Sequence, residues 1–391
     1  MPQYPDFGKL LECSTDELDL VWTFGVIGDS QQTKLAELLQ ELKGDFSETG
    51  DGKQILSGFS YWGIGPTIAW DKTCADPFYP VMKESIKRFK ARWLPIYSNK
   101  IEAQEFHYVS LGVGTGQKDC HILTSLLVKQ PNLVYFPVDM SEAMLRMASQ
   151  EVSGIEKLKD IHIIPIQIDF SDQTRVKDLR NLIDKFVPNH PVLFSLLGNT
   201  LANFQDDVRL LNILSRLLMR DKDLLLIEVA ATKDLDNQTI QAAAAEYAKI
   251  ESFKKFVTSA LLQNTDLHID LGNLIFRPSV EENKAILIKV IYQNLTQETL
   301  RVMLPDWSYT DFLIDDTIRL FLTRKYTSTG IEKMISESGL AIIDRKTTNF
   351  ENGYNTKFGM DLLLVARSSP GNQSRPNNND GSSLAQAVWS S

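Results

Sequence analysis

The sequence predicts an α/β fold: a mostly parallel, Rossmann-like sheet with an antiparallel strand at its C-terminal end and an inserted subdomain. Three observations predict it. Between residues 106 and 229 short apolar runs alternate with stretches of helical spacing, the pattern of parallel strands joined by covering helices. The first apolar run ends in a glycine-rich turn, at the carboxyl end of a strand, where open α/β sheets bind ligands. After Asp234 the alternation breaks off, and two strand-like runs close the fold much later.

The runs 106–111, 133–138, 161–168, 192–197 and 224–229 read as strands. Between them, 120–128, 141–152, 176–186 and 208–218 read as helices, with Ser141 placed as an N-cap. Beyond Asp234, 240–262 reads as one long helix, 285–292 as an antiparallel strand, 329–338 as a helix, and 340–347 with 360–365 as a strand pair. The stretch 235–325 is too long for an ordinary connection and is expected to form an inserted substrate subdomain. Residues 1–82, with helix-like spacing over 34–42, are expected to belong to that subdomain. The core is then 83–234 with 326–367. Residues 368–391, rich in Ser, Asn, Pro and Gly, have little to bury and are expected to be a disordered tail.

Of the 391 residues 43% are hydrophobic, enough for a full core. A net charge of −9 argues against a nucleic-acid partner, which needs a basic surface. Cys13, Cys74 and Cys120 have no metal-like spacing and make an odd set, so neither a zinc site nor a disulfide framework is favoured, and no metal is expected. Residues 1–8 lack a signal-peptide stretch, and no apolar run reaches the roughly 18 residues of a membrane span. The expectation is a cytoplasmic monomer with a small-molecule substrate and no membrane partner.

The turn GVGTG around Gly112 and Gly114 lets backbone approach a ligand closely, though alone it also reads as a plain turn. Asp139 ends the next strand, where an acid can take both hydroxyls of a ribose, or can cap the following helix. Asp169 ends the third strand before Phe170. The pair can hold an adenine amine and cover its ring, or be a loop acid beside a core aromatic. A dinucleotide enzyme would share the first two features. The spacing departs from G-x-G-x-x-G at Gln117, and the third strand end carries Asp169; both favour S-adenosylmethionine as cofactor. Lys118 is either a cofactor contact or a solvated lysine of a helix's first turn. Asn203 is either a buried amide with ligand partners or the N-cap of the helix beginning near Asp206. The aromatic stretch with Trp62, Trp70 and Phe78 reads first as core.

The stretches YVSLGVGTGQKD, YFPVDMSEAML, IDF, LLGNTLANF and VAATKD resemble, in order, the motifs of the histidine-specific, S-adenosylmethionine-dependent methyltransferases. That family includes the histidine Nα-methyltransferases of ergothioneine biosynthesis and, as a branch, the ergot dimethylallyltryptophan N-methyltransferases. YWGIGPTIAWDKTCADPFYP resembles the family's N-terminal segment, so the likeness runs from about Tyr61 to Val365. It implies a class I methyltransferase sheet. It implies cofactor contacts from Gly112, Gly114 and Lys118, ribose binding by Asp139, adenine binding by Asp169 and Phe170, and closure by Tyr61. It implies substrate contacts from Gly198, Asn203, Tyr247 and Ile288, with Asn203 and Tyr247 positioning the reacting amine.

Departures from the family carry the specificity argument. Phe78 stands where the family has a tyrosine, and Ser110 replaces an acid before the glycine loop. In IRLFLTRKY, Phe321 replaces the glutamate that binds imidazole and Thr323 replaces a serine. A buried imidazole left without a partner costs roughly 1–3 kcal/mol. An acceptor amine with a more apolar side chain than histidine is therefore expected. The alternatives are histidine itself, with Asp315 or Asp316 as the imidazole's partner, another methyl acceptor, or a protein of this fold without turnover.

Overall fold

The computed structural model describes residues 25–26, 31–44, 52–159, 161–350 and 357–368. Its strands, in chain order, are β1 (Gly25–Val26), β2 (Lys53–Gln54), β3 (His107–Leu111), β4 (Val134–Asp139), β5 (His162–Ile163), β6 (Ile166–Gln167), β7 (Val192–Leu196), β8 (Leu224–Thr232), β9 (Leu274–Glu281), β10 (Ala285–Gln293), β11 (Leu300–Met303), β12 (Tyr309–Phe312), β13 (Thr317–Tyr326), β14 (Leu340–Asn349) and β15 (Phe358–Arg367).

Strands β6, β4, β3, β7 and β8 lie side by side and parallel. Every residue of β3 and β7 is buried, because helices cover both faces. Val109 and Leu111 point into one layer, with Val176, Ile183 and Ile331. Tyr108 points into the other, with Phe89, Trp93 and Leu123. The closing strands are antiparallel as expected: β15 runs along β8 from Thr232 to Leu225, and β14 pairs outside it.

On the opposite edge of β8, beyond the end of β7, Tyr326 of β13 bridges Ala231. Strand β10 pairs antiparallel with β13, and β9 with β10. Strands β9, β10 and β13 therefore continue one 12-stranded sheet, while β11 and β12 pair as a separate two-stranded sheet. Residue 234 marks a change of connection, not a break in the sheet. The expected helix 240–262 is two helices, Asn237–Ala248 and Glu251–Asn264, because Ile250 takes an extended conformation between them. The expected strand 161–168 is interrupted at Pro165, which has no N–H for the ladder. Helices Ile64–Cys74, Pro80–Lys87 and Phe89–Ile96, not anticipated individually, complete the layer beside the site. Residues 369–391 of the expected tail lie outside the described residues. No helix among the described residues is long and apolar enough to cross a membrane.

Candidate cofactor and acceptor site

The parallel strands deliver their carboxyl ends to one cavity of about 420 Å³, within the range of small-ligand clefts. Tyr61, Gly112, Gly114, Lys118, Asp139, Asp169, Phe170, Gly198 and Asn203 all line it.

After β3 the chain turns through Gly112 at φ 67°, where a Cβ would meet Thr200 Cγ2 at 3.1 Å. Gly116, at φ 77°, lies so close to helix Glu142–Ser153 that a Cβ would come within 2.9 Å of Ala148 Cα. The glycines thus let this turn fit between a ligand space and a packed helix.

Asp139 ends β4, and its Oδ1 accepts the Ser141 N–H at 2.9 Å. Burial pushes its carboxyl up to about 7. The helix-capping reading and the ligand reading of this residue are compatible, since Oδ1 takes the backbone while the residue lines the cavity. Ser141 stands at the N-cap position, but its hydroxyl pairs with Thr67 Oγ1 at 3.1 Å instead of capping. Asp169 is held at Oδ1 by the Ser171 N–H (3.0 Å) and hydroxyl (2.6 Å), and at Oδ2 by Lys34 Nζ (2.7 Å). Beside it, Phe170 packs on Phe204 with ring centroids 5.8 Å apart.

Lys118 is buried and is not a solvated first-turn lysine. Its Nζ sits 2.5 Å from Glu228 Oε2 and also donates to Ser85 Oγ. Glu228, fully buried in β8, accepts in addition from Arg92 (2.5 Å), Ser85 Oγ (2.7 Å) and the Gly198 N–H (2.9 Å). Burial alone would raise its carboxyl, but Lys118 and Arg92 hold it at about 2. The sequence reading missed this anchor. Its signal was a lone acid inside the apolar run LLLIEV. Because the Gly198 N–H already serves Glu228, Gly198 has no free N–H donor for a substrate carboxylate.

Asn203 Nδ2 donates to Tyr61 Oη at 3.1 Å. Among the described residues its Oδ1 takes no hydrogen bond and remains available as an acceptor. The N-cap of helix Asp207–Ile213 is Asp206, not Asn203. Tyr61 is wedged against Trp70 (5.1 Å), Phe256 (4.9 Å) and Phe321 (6.3 Å).

Five expected substrate residues are not on the cavity wall. Phe78 is 77% exposed, and its neighbour Tyr79 turns inward instead, 5.8 Å from the ring of Tyr247. The position before Pro80 starts helix Pro80–Lys87, so the inward direction falls to Tyr79. Tyr247, Ile288 and Phe321 are buried behind Tyr61 in one apolar cluster. Phe321 packs on Phe253 and Phe256 at 5.8 Å each. Thr323 is buried, and its hydroxyl accepts from Asn199 Nδ2 at 3.1 Å, tying β13 to the end of β7. Asp315 and Asp316 sit in the turn before β13, where they bond Asn294 and Leu313, and neither lines the cavity. Cys74 lines the cavity as a small apolar group, its thiol pushed far up by burial. The Cys120 thiol is pushed up to about 12.

A family described as histidine-specific methyltransferase, SAM-dependent, matches residues 35–352. No curated protein matches the chain. Among solved structures, the chain is similar to the CcbJ methyltransferase from Streptomyces caelestis at 13% identity, over 84% of this chain and 99% of that one, with a TM-score of 0.35. A S-adenosylmethionine-dependent methyltransferase from Clostridium acetobutylicum is similar at 14% identity, over 77% and 97%, with a TM-score of 0.36. The magnesium protoporphyrin IX methyltransferase of Synechocystis, solved with bound SAH, is similar at 11% identity, over 79% and 97%, with a TM-score of 0.39.

Proposed function

The chain belongs to the histidine-specific, S-adenosylmethionine-dependent methyltransferase family, and on that premise we propose that it methylates the α-amino group of an amino acid or related small amine whose side chain is apolar or aromatic. It is a methyltransferase that uses S-adenosylmethionine, on the class I sheet described above. The observation that carries the acceptor proposal is Phe321. Behind Tyr61 and off the cavity wall, this ring fills an aromatic cluster with Phe253 and Phe256. An imidazole that reached this cluster past Tyr61 would leave ring nitrogens without partners, at a cost of roughly 1–3 kcal/mol each.

The cavity fits the cofactor: the Gly112 turn leaves room where a side chain would collide, and carboxylates stand at two successive strand ends. Bound S-adenosylmethionine supplies a methyl group activated on a sulfonium. In the proposed site Asp139 accepts the ribose hydroxyls, Asp169 accepts the adenine amine, and Phe170 covers the ring. Lys118, held by Glu228, presents its ammonium to the cofactor's carboxylate. Asn203 donates to Tyr61 and so turns its Oδ1 toward an N–H of the acceptor amine, which orients the lone pair for in-line attack. Tyr61 and Trp70 exclude water. In that apolar surrounding beside a positive sulfonium, an ammonium loses its proton more readily, so the residues need only position a neutral amine.

Competition assays with histidine, tryptophan and tyrosine test the proposal. Wild type should prefer the aromatic acceptors, and Phe321→Glu should shift preference toward histidine by about 1–2 kcal/mol. Efficient histidine methylation by wild type would overturn it. The family description favours histidine as the second reading. Its imidazole would then have to reach past Tyr61 to Glu246, which lies off the cavity wall and pairs with Lys325, but whose Oε1 is buried without a partner among the described residues. Loss of histidine methylation in Glu246→Gln, with melting temperature and cofactor affinity unchanged, identifies that case, since the change also weakens the pair with buried Lys325.

A further inference from the structure

The family match begins at residue 35, and the residue just before it reaches the cavity. Helix Gln31–Lys43 buries Leu38 and Leu42 against Ile55, Phe59 and Leu320. Lys34 lies one turn ahead of Leu38 on the same face, so its stem follows that apolar stripe and its head enters the cavity. There Nζ donates to Asp169 Oδ2 at 2.7 Å and to Glu37 Oε2 at 2.8 Å.

A carboxylate offers about four lone-pair sites. On Asp169, Ser171 takes two at Oδ1 and Lys34 takes one at Oδ2. Among the described residues one site remains, on Oδ2. Both oxygens are gripped from opposite sides before any ligand arrives, by the residue's own loop and by a helix remote in sequence. A carboxylate fixed in this way has little rotational freedom left to lose on binding.

We propose that helix Gln31–Lys43 forms the outer wall of the adenine subsite and that Lys34 is a positioning residue, which fixes Asp169 so that its remaining lone pair meets the exocyclic amine of adenine. The inference rests on the reading that Asp169 takes that amine. Glu37 completes the device by holding the Lys34 ammonium from its other side, one helical turn away. Cofactor binding and docking of the N-terminal helix are then one linked event.

The test uses the full chain and two ligands that cannot be turned over: S-adenosylhomocysteine and S-inosylhomocysteine, which carries an oxo group in place of the amine. Dissociation constants are measured by calorimetry for wild type, Lys34→Met, Lys34→Arg and Asp169→Asn. Lys34→Met should weaken the adenosyl ligand by about tenfold, the size of one charge-assisted hydrogen bond, and the inosyl ligand less, so the preference for the amine shrinks. Lys34→Arg should retain the preference. Unchanged or tighter adenosyl binding by Lys34→Met overturns the proposal; tighter binding would make Lys34 an occupant of the amine's place. Asp169→Asn separates the two levels: if it keeps the adenosyl preference, the adenine assignment itself fails, whereas a loss there without a loss in Lys34→Met sinks only the role of Lys34. Hydrogen exchange in wild type gives a readout that needs no variant. S-adenosylhomocysteine should slow exchange in Gln31–Lys43, and faster exchange there overturns the proposal.

Discussion

At the scale of single residues, the ribose-binding role proposed for Asp139 would couple ligand binding to protons. Its carboxyl sits at about 7 because it is buried, against about 3.9 for a free aspartate. In the proposed site ribose hydroxyls donate to it and favour the ionised form, so its value should fall when they arrive. Binding therefore releases a proton between the two values, and affinity should rise with pH up to about 7 and then level off. Calorimetry at pH 6 in buffers of different ionisation enthalpy measures that proton directly. Asp139→Asn should abolish the release and weaken S-adenosylhomocysteine by roughly 1.5–3 kcal/mol. The same shift acts on folding with a definite sign. From about pH 4 to 7 the unfolded carboxyl is already ionised while the folded one keeps its proton, so this residue's contribution to stability falls as pH rises. Glu228 behaves in the opposite way: held at about 2, it contributes stability that is present above the unfolded value and lost as pH falls through 2. Glu228→Gln should cost about 3–5 kcal/mol in denaturant unfolding, since it strands the buried charges of Arg92 and Lys118. Gly112, Asp139 and Asp169 were legible in the sequence because strand ends are legible. Glu228, Arg92 and Lys34 were not, because each finds its partner on an element remote in the chain, and a charged residue alone carries no sign of that partner. Phe78 and Tyr79 show a different limit: with two adjacent aromatics before a proline, only the helix start decides which one turns inward.

At the scale of elements, β13 escaped the sequence reading because charge interrupts it. Arg319, Arg324 and Lys325 are all buried, and each is paired: with Gln205 at 2.8 Å, Glu281 at 2.5 Å and Glu246 at 2.6 Å respectively. A strand that buries ionic groups breaks the apolar run by which strands are recognised. The helix 328–337 was legible, and its N-cap Thr327 accepts the Gly330 N–H at 3.0 Å. Gly330 also sets how closely that helix meets the turn before β10. A Cβ there would come within 2.2 Å of the Lys284 carbonyl oxygen and 2.7 Å of its Cα. Alanine ordinarily stabilises a helix over glycine by about 1 kcal/mol. Here the collision is with backbone, which cannot swing aside, and overpacking of this kind costs about 1–3 kcal/mol. The collision should win. Gly330→Ala is expected to lower thermal stability, and a rise in melting temperature would show that the helix and the turn can separate without loss.

At the scale of the whole molecule, the cavity has a floor of parallel strand ends and a roof supplied by segment 55–74. That roof is fastened to the later half of the chain. The Ile55 N–H bonds the Arg319 carbonyl at 2.9 Å, Ser57 Oγ accepts the Leu322 N–H at 3.1 Å, and Gln263 Oε1 accepts the Gly65 N–H at 3.0 Å. Tyr61 adds its contacts with Asn203 and Phe256. Residues before the parallel strands and residues after them thus close one cavity, which explains why the break in rhythm at Asp234 marked a change in the chain without showing that β9, β10 and β13 rejoin the sheet. If roof and fastenings move as one unit, a ligand that touches only the cavity should quiet all of it. S-adenosylhomocysteine should slow hydrogen exchange together in 57–74 and in helix Glu251–Asn264, although that helix does not line the cavity. Gln263→Ala removes one fastening worth about 1 kcal/mol and leaves the floor intact. It should raise the KM for the acceptor several-fold while cofactor affinity changes little, because the Asp139 and Asp169 ends of the site do not depend on it. Slowing confined to 57–74, or equal losses for cofactor and acceptor in the variant, would show that the roof is not fastened to this helix in the way the hydrogen bonds indicate.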